Sequence, residues 1–208
     1  MKTRRSAALP ALVVLFWSSP LPAAPPVRSE ALTPVESAGR DAVERFLRAR
    51  LFAADGEFQE ALKEFRRAVE LDPANGHLRR EYAEALRDFG ILPEAEQQAR
   101  KAVELVPDSA AAHRVLGQIL LAKARDREGI ETALPALKRA CDLQPAEPTG
   151  ALALGQAYLR LDRPKEAADV LAKAQDRARG PLLALLYGEA LEKSDRAAEA
   201  EEVYLGVL

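Results

Sequence analysis

The chain has 208 residues, of which 48% are hydrophobic and only 5% aromatic. A core with so few rings must rely on Ala, Leu and Val, which suits helices packed at short range. The net charge of −2 argues against both the basic footprint of a nucleic-acid-binding protein and the polybasic surface that binds anionic membranes. Cys141 is the single cysteine, which excludes an internal disulfide and a thiolate metal cluster.

The first 24 residues have the arrangement of a secretory signal peptide, in which basic residues precede an apolar segment. Lys2, Arg4 and Arg5 precede an apolar run over residues 7–17, which is shorter than the ~20 residues of a transmembrane helix. No clean Ala-x-Ala cleavage motif follows, so an uncleaved anchor or a buried helix is the alternative. We predict a signal peptide or N-terminal anchor over 1–24, a proline-containing linker over 25–33, and export to the periplasm or cell envelope, with membrane tethering if the segment is not cleaved.

Similar stretches recur along the rest of the chain. Each is an alanine-rich helix end followed by a proline: Pro73, Pro107 and Pro145 lie 34 and then 38 residues apart, and a fainter copy ends at Pro181. Proline ends such a segment because it cannot continue the preceding helix. A period of this length is typical of stacked supersecondary units.

Each period contains two amphipathic helices, because apolar residues recur twice at spacings of three and four. The fourth unit shows this pattern most clearly, in Leu154, Gly155, Tyr158, Ala167, Leu171 and Ala174. We expect a small residue such as Gly155 where the two helices of a pair cross, since a larger side chain would push them apart. One such pair cannot bury its apolar face alone, so several must stack.

This pattern resembles the tetratricopeptide repeat. The motif of that family places a Leu-Gly pair and an aromatic residue on a first helix, then Ala, an aromatic residue or Leu, Ala and a closing Pro on a second. The resemblance covers about residues 42–208 and implies an all-α fold, an α-solenoid of stacked antiparallel helix pairs over residues 34–208. Another α-solenoid is the alternative. The units are expected at about 42–75, 76–109, 110–147, 148–180 and 181–208.

Two departures from the repeat carry expectations. The third unit has four extra residues around Lys123–Glu128, for which we predict a longer solvated turn between its helices, or alternatively a protruding contact point. In the first unit Arg48 and Ala49 replace the Leu-Gly pair. The segment Thr33-Pro34-Val35-Glu36 fits a capping box, so we expect a longer first helix that closes the amino-terminal end of the stack.

The carboxyl-terminal end of the sequence lacks the polar face of a capping unit. A solenoid normally ends on such a face, whereas this sequence ends on Val203, Tyr204, Val207 and Leu208. We therefore expect this end to dock on another surface, self-association included, or the chain to be a fragment of a longer protein.

No motif for catalysis or for metal binding stands out. The sequence lacks a G-x-S-x-G elbow, an H-E-x-x-H helix, a paired C-x-x-C and a phosphate-binding loop. His77 and His113 lie at near-equivalent places in successive units, but without a Cys or carboxylate cluster they are predicted to be surface side chains. Cys141 is predicted to be a half-buried apolar residue, with a reactive thiol as the alternative. We expect no enzymatic activity, cofactor, metal or small-molecule substrate.

In the family, first helices line a groove that takes extended peptides or helices, and the resemblance implies the same here. The candidate peptide-binding residues lie opposite the packing stripe of each first helix: Phe46, Arg50, Ala53, Arg80, Glu84, Arg87, Arg114, Gln118, Leu121, Leu152, Gln156 and Leu159. They predict a basic first half and a more apolar second half. The Lys and Asn residues with which some members clamp chaperone tails are absent, so that activity is not supported.

We hypothesise that the groove binds an extended segment with acidic and apolar residues. Arg50, Arg80, Arg87 and Arg114 would be its charge partners; alternatively these arginines only solvate the face. The expected function is a non-catalytic scaffold or adaptor for other proteins in the cell envelope. One alternative is the amino-terminal accessory module of a larger exported enzyme or complex. Another is a structural oligomer built by end-to-end stacking through residues 203–208.

Overall fold

The computed structural model of the chain describes residues 34–145, 147–176 and 180–206. The predicted signal segment and linker lie outside these residues. Ten helices are described, and none of them has the length and apolar character needed to cross a membrane. They are α1 Pro34–Ala54, α2 Phe58–Leu71, α3 Gly76–Asp88, α4 Leu92–Leu105, α5 Ala110–Lys123, α6 Arg127–Leu143, α7 Pro148–Arg160, α8 Pro164–Gln175, α9 Pro181–Glu192 and α10 Ala197–Leu205.

The helices stack as consecutive pairs. Each helix packs on the next one along the chain, and the first helices α3, α5, α7 and α9 also contact one another in series. The predicted all-α solenoid of helix pairs is therefore confirmed. Because the first helices adjoin, they form a continuous surface, which we call the first-helix face.

Small residues let the two helices of a pair approach closely. A Cβ atom added to Gly117 would lie 2.5 Å from Leu137 Cδ2, and one added to Gly155 would lie 2.8 Å from Leu171 Cδ1. Both distances are shorter than carbon–carbon contacts allow. The second helices contribute alanines that are at most 1% exposed: Ala61, Ala95, Ala133, Ala167 and Ala200. The glycines therefore stand where the sequence predicted small residues, with the leucine of the partner helix filling the space above them.

Four of the turns within pairs share one geometry. A residue with positive φ follows the first helix, and the next N–H bonds to a carbonyl five residues earlier, as Ile91 does with Leu86 at 2.8 Å. This is a Schellman motif, which satisfies the last carbonyls of a helix. The positive-φ residues are Gly56, Gly90, Asp162 and Asp195.

The prediction of a longer turn in the third unit was wrong. The helix α5 ends at Lys123 and α6 begins at Arg127, so the turn has the length of the one between α1 and α2. The extra residues lengthen the helices instead: α6 has 17 residues, whereas α2 and α4 have 14 each. Asp126 makes this possible, because its carboxylate accepts a hydrogen bond from the N–H of Gly129 at 2.8 Å and caps the early start of α6.

A side chain of the fourth unit closes this third turn. The guanidinium of Arg160 donates to the carbonyl oxygens of Leu121 and Ala124, at 3.0 Å each. These carbonyls lie at the end of α5, where the helix itself offers them no partner. Arg160 therefore satisfies the last carbonyl groups of the first helix in the third unit, as the Schellman turns do in the other units.

Helix α1 is the longest of the described helices, and one of its faces is exposed to solvent. Its described part spans Pro34–Ala54 and has 21 residues. Val43, Leu47 and Leu51 follow one another at spacings of four and are 50%, 56% and 66% exposed. This exposed face of α1 is therefore apolar.

The close approach at Gly117 predicts a stability difference between two glycine substitutions. Gly117→Ala should lower the free energy of unfolding by about 1–3 kcal/mol, because the added methyl group overlaps the fully buried Leu137. Urea unfolding followed by circular dichroism measures this change.

Gly39→Ala is the matched control, since it replaces a helical glycine of α1 whose added Cβ would meet nothing within 4 Å. It should raise the free energy of unfolding by about 0.5–1 kcal/mol, because Ala has the higher helix propensity. An equal gain in both variants would contradict the packing argument.

Candidate functional site

The first helices α5, α7 and α9 together line a groove with a volume of about 560 Å³. We call it the leucine groove. Its walls include Gln118, Leu121, Leu152 and Gln156, four of the residues that the sequence proposed for partner binding. The complete lining is Gln118, Leu121, Ala122, Thr149, Leu152, Ala153, Gln156, Arg160, Leu182 and Leu186.

The leucines of this groove differ in exposure. Leu121 is only 5% exposed and forms part of the floor, Leu152 is half-buried, and Leu182 is 64% exposed. A contiguous apolar surface open to water on three helices is typical of a binding site, because its burial by a partner is favourable. The polar side chains of Gln118 and Gln156 lie among the leucines and supply hydrogen-bonding groups.

A second, polar depression of about 480 Å³ lies between α1 and α3. Arg50, Ala53 and Glu84, three further predicted residues, line it together with Phe65, Glu81, Ala85, Asp88 and Phe89. Arg50 Nη1 is 3.3 Å from Glu81 Oε2, so this ion pair joins α1 to α3. Phe46 has a different role: its ring packs edge-on against Phe65 with the centroids 6.0 Å apart, as part of the contact between α1 and α2.

Three arginines lie between the two depressions, and we call them the arginine cluster: Arg80, Arg87 and Arg114. All three converge on the carboxylate of Glu84, at 3.4, 3.5 and 3.6 Å respectively. Gln118 Oε1 also accepts hydrogen bonds from Arg87 Nη1 at 2.6 Å and from Arg114 Nη1 at 3.1 Å. The positive charge expected on this half of the first-helix face is therefore largely neutralised by side chains of the same chain.

Some residues of the site were missed by the sequence reasoning, and two predicted residues, Phe46 and Leu159, belong neither to a depression nor to the arginine cluster. Leu159 is half-buried and lines neither depression. Leu182 and Leu186 were not proposed, although they correspond in α9 to the groove residues Thr149 and Ala153 of α7. Extending the repeat register into the fifth unit would have found them. Glu81 was also missed, because its role depends on the approach of Arg50 from α1.

Neither histidine has the surroundings of a catalytic or metal-binding residue. His113 Nε2 lies 2.8 Å from the carbonyl oxygen of Pro107, and His77 is exposed. Within the described residues, no group of three or more His, Cys, Asp or Glu side chains is arranged to hold a metal ion.

The cysteine lies in a separate groove of about 410 Å³ among α6, α7 and α8. Cys141 is half-buried there. Burial first, and then the charges of Asp142 and Glu147, raise the pKa of its thiol to about 11. At neutral pH the thiol is therefore protonated, which is the opposite of what a catalytic or redox-sensing cysteine requires.

The repeat pattern and the stacked helix pairs agree with the known sequence family that the chain matches. Two models of the tetratricopeptide repeat match the chain, one over residues 52–119 and the other over residues 123–181. The chain belongs to the tetratricopeptide repeat family. No curated protein is significantly similar to it in sequence.

Several solved tetratricopeptide proteins have a similar fold. The thermophilic protein TTC0263 of Thermus thermophilus is 24% identical, with a TM-score of 0.65, covering 80% of this chain and 90% of that one. MamA from residue 41 onward, of Desulfovibrio magneticus RS-1, is 20% identical, with a TM-score of 0.69 and coverages of 81% and 94%. YrrB, described as having an unusual peptide-binding site, is 20% identical, with a TM-score of 0.61 and coverages of 81% and 86%. At these identities the similarity shows the fold alone.

The raised pKa of Cys141 predicts slow alkylation in the folded protein. Since only the thiolate reacts, labelling by iodoacetamide at pH 8 should be roughly a hundredfold slower than for a cysteine with a pKa near 8.5. The rate should keep rising as the pH approaches 11. Mass spectrometry of quenched samples measures it.

The urea-unfolded chain at the same pH is the control, because its thiol is exposed and has an ordinary pKa. If the folded and unfolded chains react at the same rate, the protected state assigned to Cys141 is wrong.

Proposed function

We propose that this chain is a non-catalytic scaffold that binds segments of partner proteins on its first-helix face, with the leucine groove as the principal contact. The observation that supports this proposal most directly is the exposed apolar surface of Leu152 and Leu182, which lies in a groove formed by three adjacent helices. Such a surface is costly in water and gains free energy when a partner covers it.

The groove suits apolar side chains on an extended peptide or on one face of a helix. Burying one Leu-sized side chain contributes roughly 1.5–3 kcal/mol, so several anchors yield a Kd on the order of micromolar after the costs of association. Gln118, Thr149 and Gln156 provide donors and acceptors beside the leucines, which suits the backbone groups of an extended segment. We expect a partner segment rich in Leu, Ile, Phe or Met.

The proposal of a binding role, in place of an enzymatic one, rests on the chemistry of the described residues. The arginine cluster is paired with Glu84 and Gln118, the thiol of Cys141 is held protonated, and neither His77 nor His113 lines the leucine groove or the polar depression. General acid–base or nucleophilic catalysis needs a group with a pKa near neutrality within reach of the substrate.

The cell envelope is the proposed location. The support is the order of the first residues, in which Lys2, Arg4 and Arg5 precede the apolar run of residues 7–17. An adaptor exported in this way would meet its partners outside the cytoplasm or, if the segment is retained, beside the membrane.

Removing an apolar anchor should weaken partner binding. We expect a phage-displayed library of random short peptides to yield peptides enriched in Leu, Ile, Phe or Met on the full chain. Leu182→Ser should lower their affinity by about tenfold, because one buried side chain is lost, and Leu152→Ser should act in the same direction. Fluorescence anisotropy of labelled peptides measures the affinity.

Leu105→Ser is the matched control, since Leu105 is 42% exposed at the end of α4 and lines neither depression. It should leave the affinity unchanged. All variants must first show the same helical content by circular dichroism. Selected peptides that bind the Leu182→Ser and Leu152→Ser variants as well as the native chain would place the binding surface elsewhere.

Self-association is a second candidate, which the exposure of the last described helix favours. In α10, Leu205 is 62% exposed, while Val203 and Tyr204 are half-buried. Val207 and Leu208, which the sequence also assigned to this surface, lie outside the described residues. A second copy could cover this apolar surface and extend the stack.

If α10 mediates self-association, the mass of the chain should rise with concentration in sedimentation equilibrium. Leu205→Glu should abolish that rise, because it places a charge in the contact. Leu105→Glu is the control and should self-associate like the native chain. A native chain that remains monomeric at every concentration would exclude this candidate.

A further inference from the structure

Glu84 occupies an unusual position in the arginine cluster. Its carboxylate is the common partner of Arg80, Arg87 and Arg114, yet none of the three contacts is shorter than 3.4 Å. Strong charge-assisted pairs have nitrogen–oxygen distances of roughly 2.7–2.9 Å. One carboxylate is thus shared among three guanidinium groups, without a close bond to any of them.

The outer sides of the cluster are better paired than its centre. Arg80 Nη2 lies 2.5 Å from Glu81 Oε1, and Arg87 Nη2 lies 2.7 Å from Asp88 Oδ1. These two contacts hold Arg80 and Arg87 in place without Glu84. The strong pairs therefore fix the geometry, and Glu84 occupies the point towards which the remaining donors are directed.

Two arginines of the cluster keep hydrogen-bonding capacity. Arg80 Nε is buried and has no acceptor among the described residues. Arg114 makes its contacts with Gln118 and Glu84 through Nη1, so its other nitrogens have no hydrogen bond within the described part of the chain. Arg114 also faces Glu147: burial would raise the pKa of that carboxyl, but hydrogen bonds from Thr149 and Gly150, together with the charge of Arg114, lower it.

We propose that the point where Arg80, Arg87 and Arg114 converge is an anion-binding position for an Asp or Glu side chain of the bound partner, and that Glu84 is its internal competitor. This inference rests on the proposed binding role of the first-helix face and names the charge chemistry of the segment bound there. A carboxylate of the partner replaces Glu84 at this position or lies beside it. It accepts closer hydrogen bonds from the guanidinium groups than Glu84 does. The competition keeps the affinity for acidic segments low until apolar anchors add to it.

The cluster adjoins the leucine groove through Gln118. This side chain lines the groove and also accepts hydrogen bonds from Arg87 and Arg114. A partner segment with apolar residues in the groove therefore passes directly beside the cluster. The recognised sequence combines an acidic residue with neighbouring apolar residues, and each part alone binds weakly.

The test uses the strongest peptide selected on the full chain, and a copy in which its Asp or Glu is replaced by Asn or Gln. Glu84→Gln should raise the affinity for the acidic peptide by about tenfold, because the internal competitor loses its charge, and should change the affinity for the neutral copy by less than about twofold. Arg114→Gln should lower the affinity for the acidic peptide by about tenfold and leave the neutral copy unaffected. Both variants must match the native chain in circular dichroism.

Glu64→Gln is the control for a general change of net charge. Glu64 also pairs with an arginine, Arg45, at 3.0 Å, and its side chain is 12% exposed, but it lies on α2. An equal gain in affinity with Glu64→Gln would overturn the inference, as would a lack of effect of Glu84→Gln on the acidic peptide. If the selected peptides contain no acidic residue but their affinity depends on Leu182, the proposed binding role is supported and the proposed anion-binding position is contradicted. If neither the native chain nor the Glu84→Gln variant selects any peptide, both the binding role and the anion-binding position are contradicted.

Discussion

The close approach of the two helices in each pair is the constraint on which the rest of the structure depends. At Gly117 and Gly155 the partner helix places a leucine where a Cβ atom would otherwise lie. The buried alanines of the second helices keep their axes near those of the first. Because the core is made from such short contacts, 5% aromatic residues suffice for a chain of 208 residues. In four of the five described pairs a Schellman turn then reverses the chain between the first helix and the second.

Stacking of equivalent pairs produces the candidate site without any dedicated loop. Each first helix buries one stripe against its partner helix, and the opposite residues are left on a common face. In α5, α7 and α9 those residues are mainly Leu, Ala and Gln, so an apolar groove results. In α1 and α3 they are mainly charged, so a polar depression results. A single fold therefore presents two chemically different surfaces, linked through the arginine cluster, which contacts Gln118 of the groove and Glu84 of the polar depression.

The charges of the face show how tertiary contacts change the meaning of a sequence pattern. Counted along the chain, Arg50, Arg80, Arg87 and Arg114 suggest a basic surface. In the structure Glu81 and Glu84, from the same helix as two of these arginines, neutralise much of that charge, and Gln118 binds two of them from the next unit. The third unit gives a second example: its extra charged residues suggested a loop, but Asp126 caps an early helix start and Arg160 completes the end of α5.

The sequence by itself determined the all-α solenoid and the positions of the small residues at the helix crossings. These features are local or repeat at a fixed period, so spacing reveals them. It also predicted seven residues that line the two depressions, because each lies opposite a packing stripe: Arg50, Ala53, Glu84, Gln118, Leu121, Leu152 and Gln156. Only the tertiary structure decided that Phe46 packs on Phe65, that Leu182 and Leu186 extend the groove, and that three arginines share Glu84. Those outcomes depend on distances between side chains of different helices, which no periodicity within one chain segment encodes.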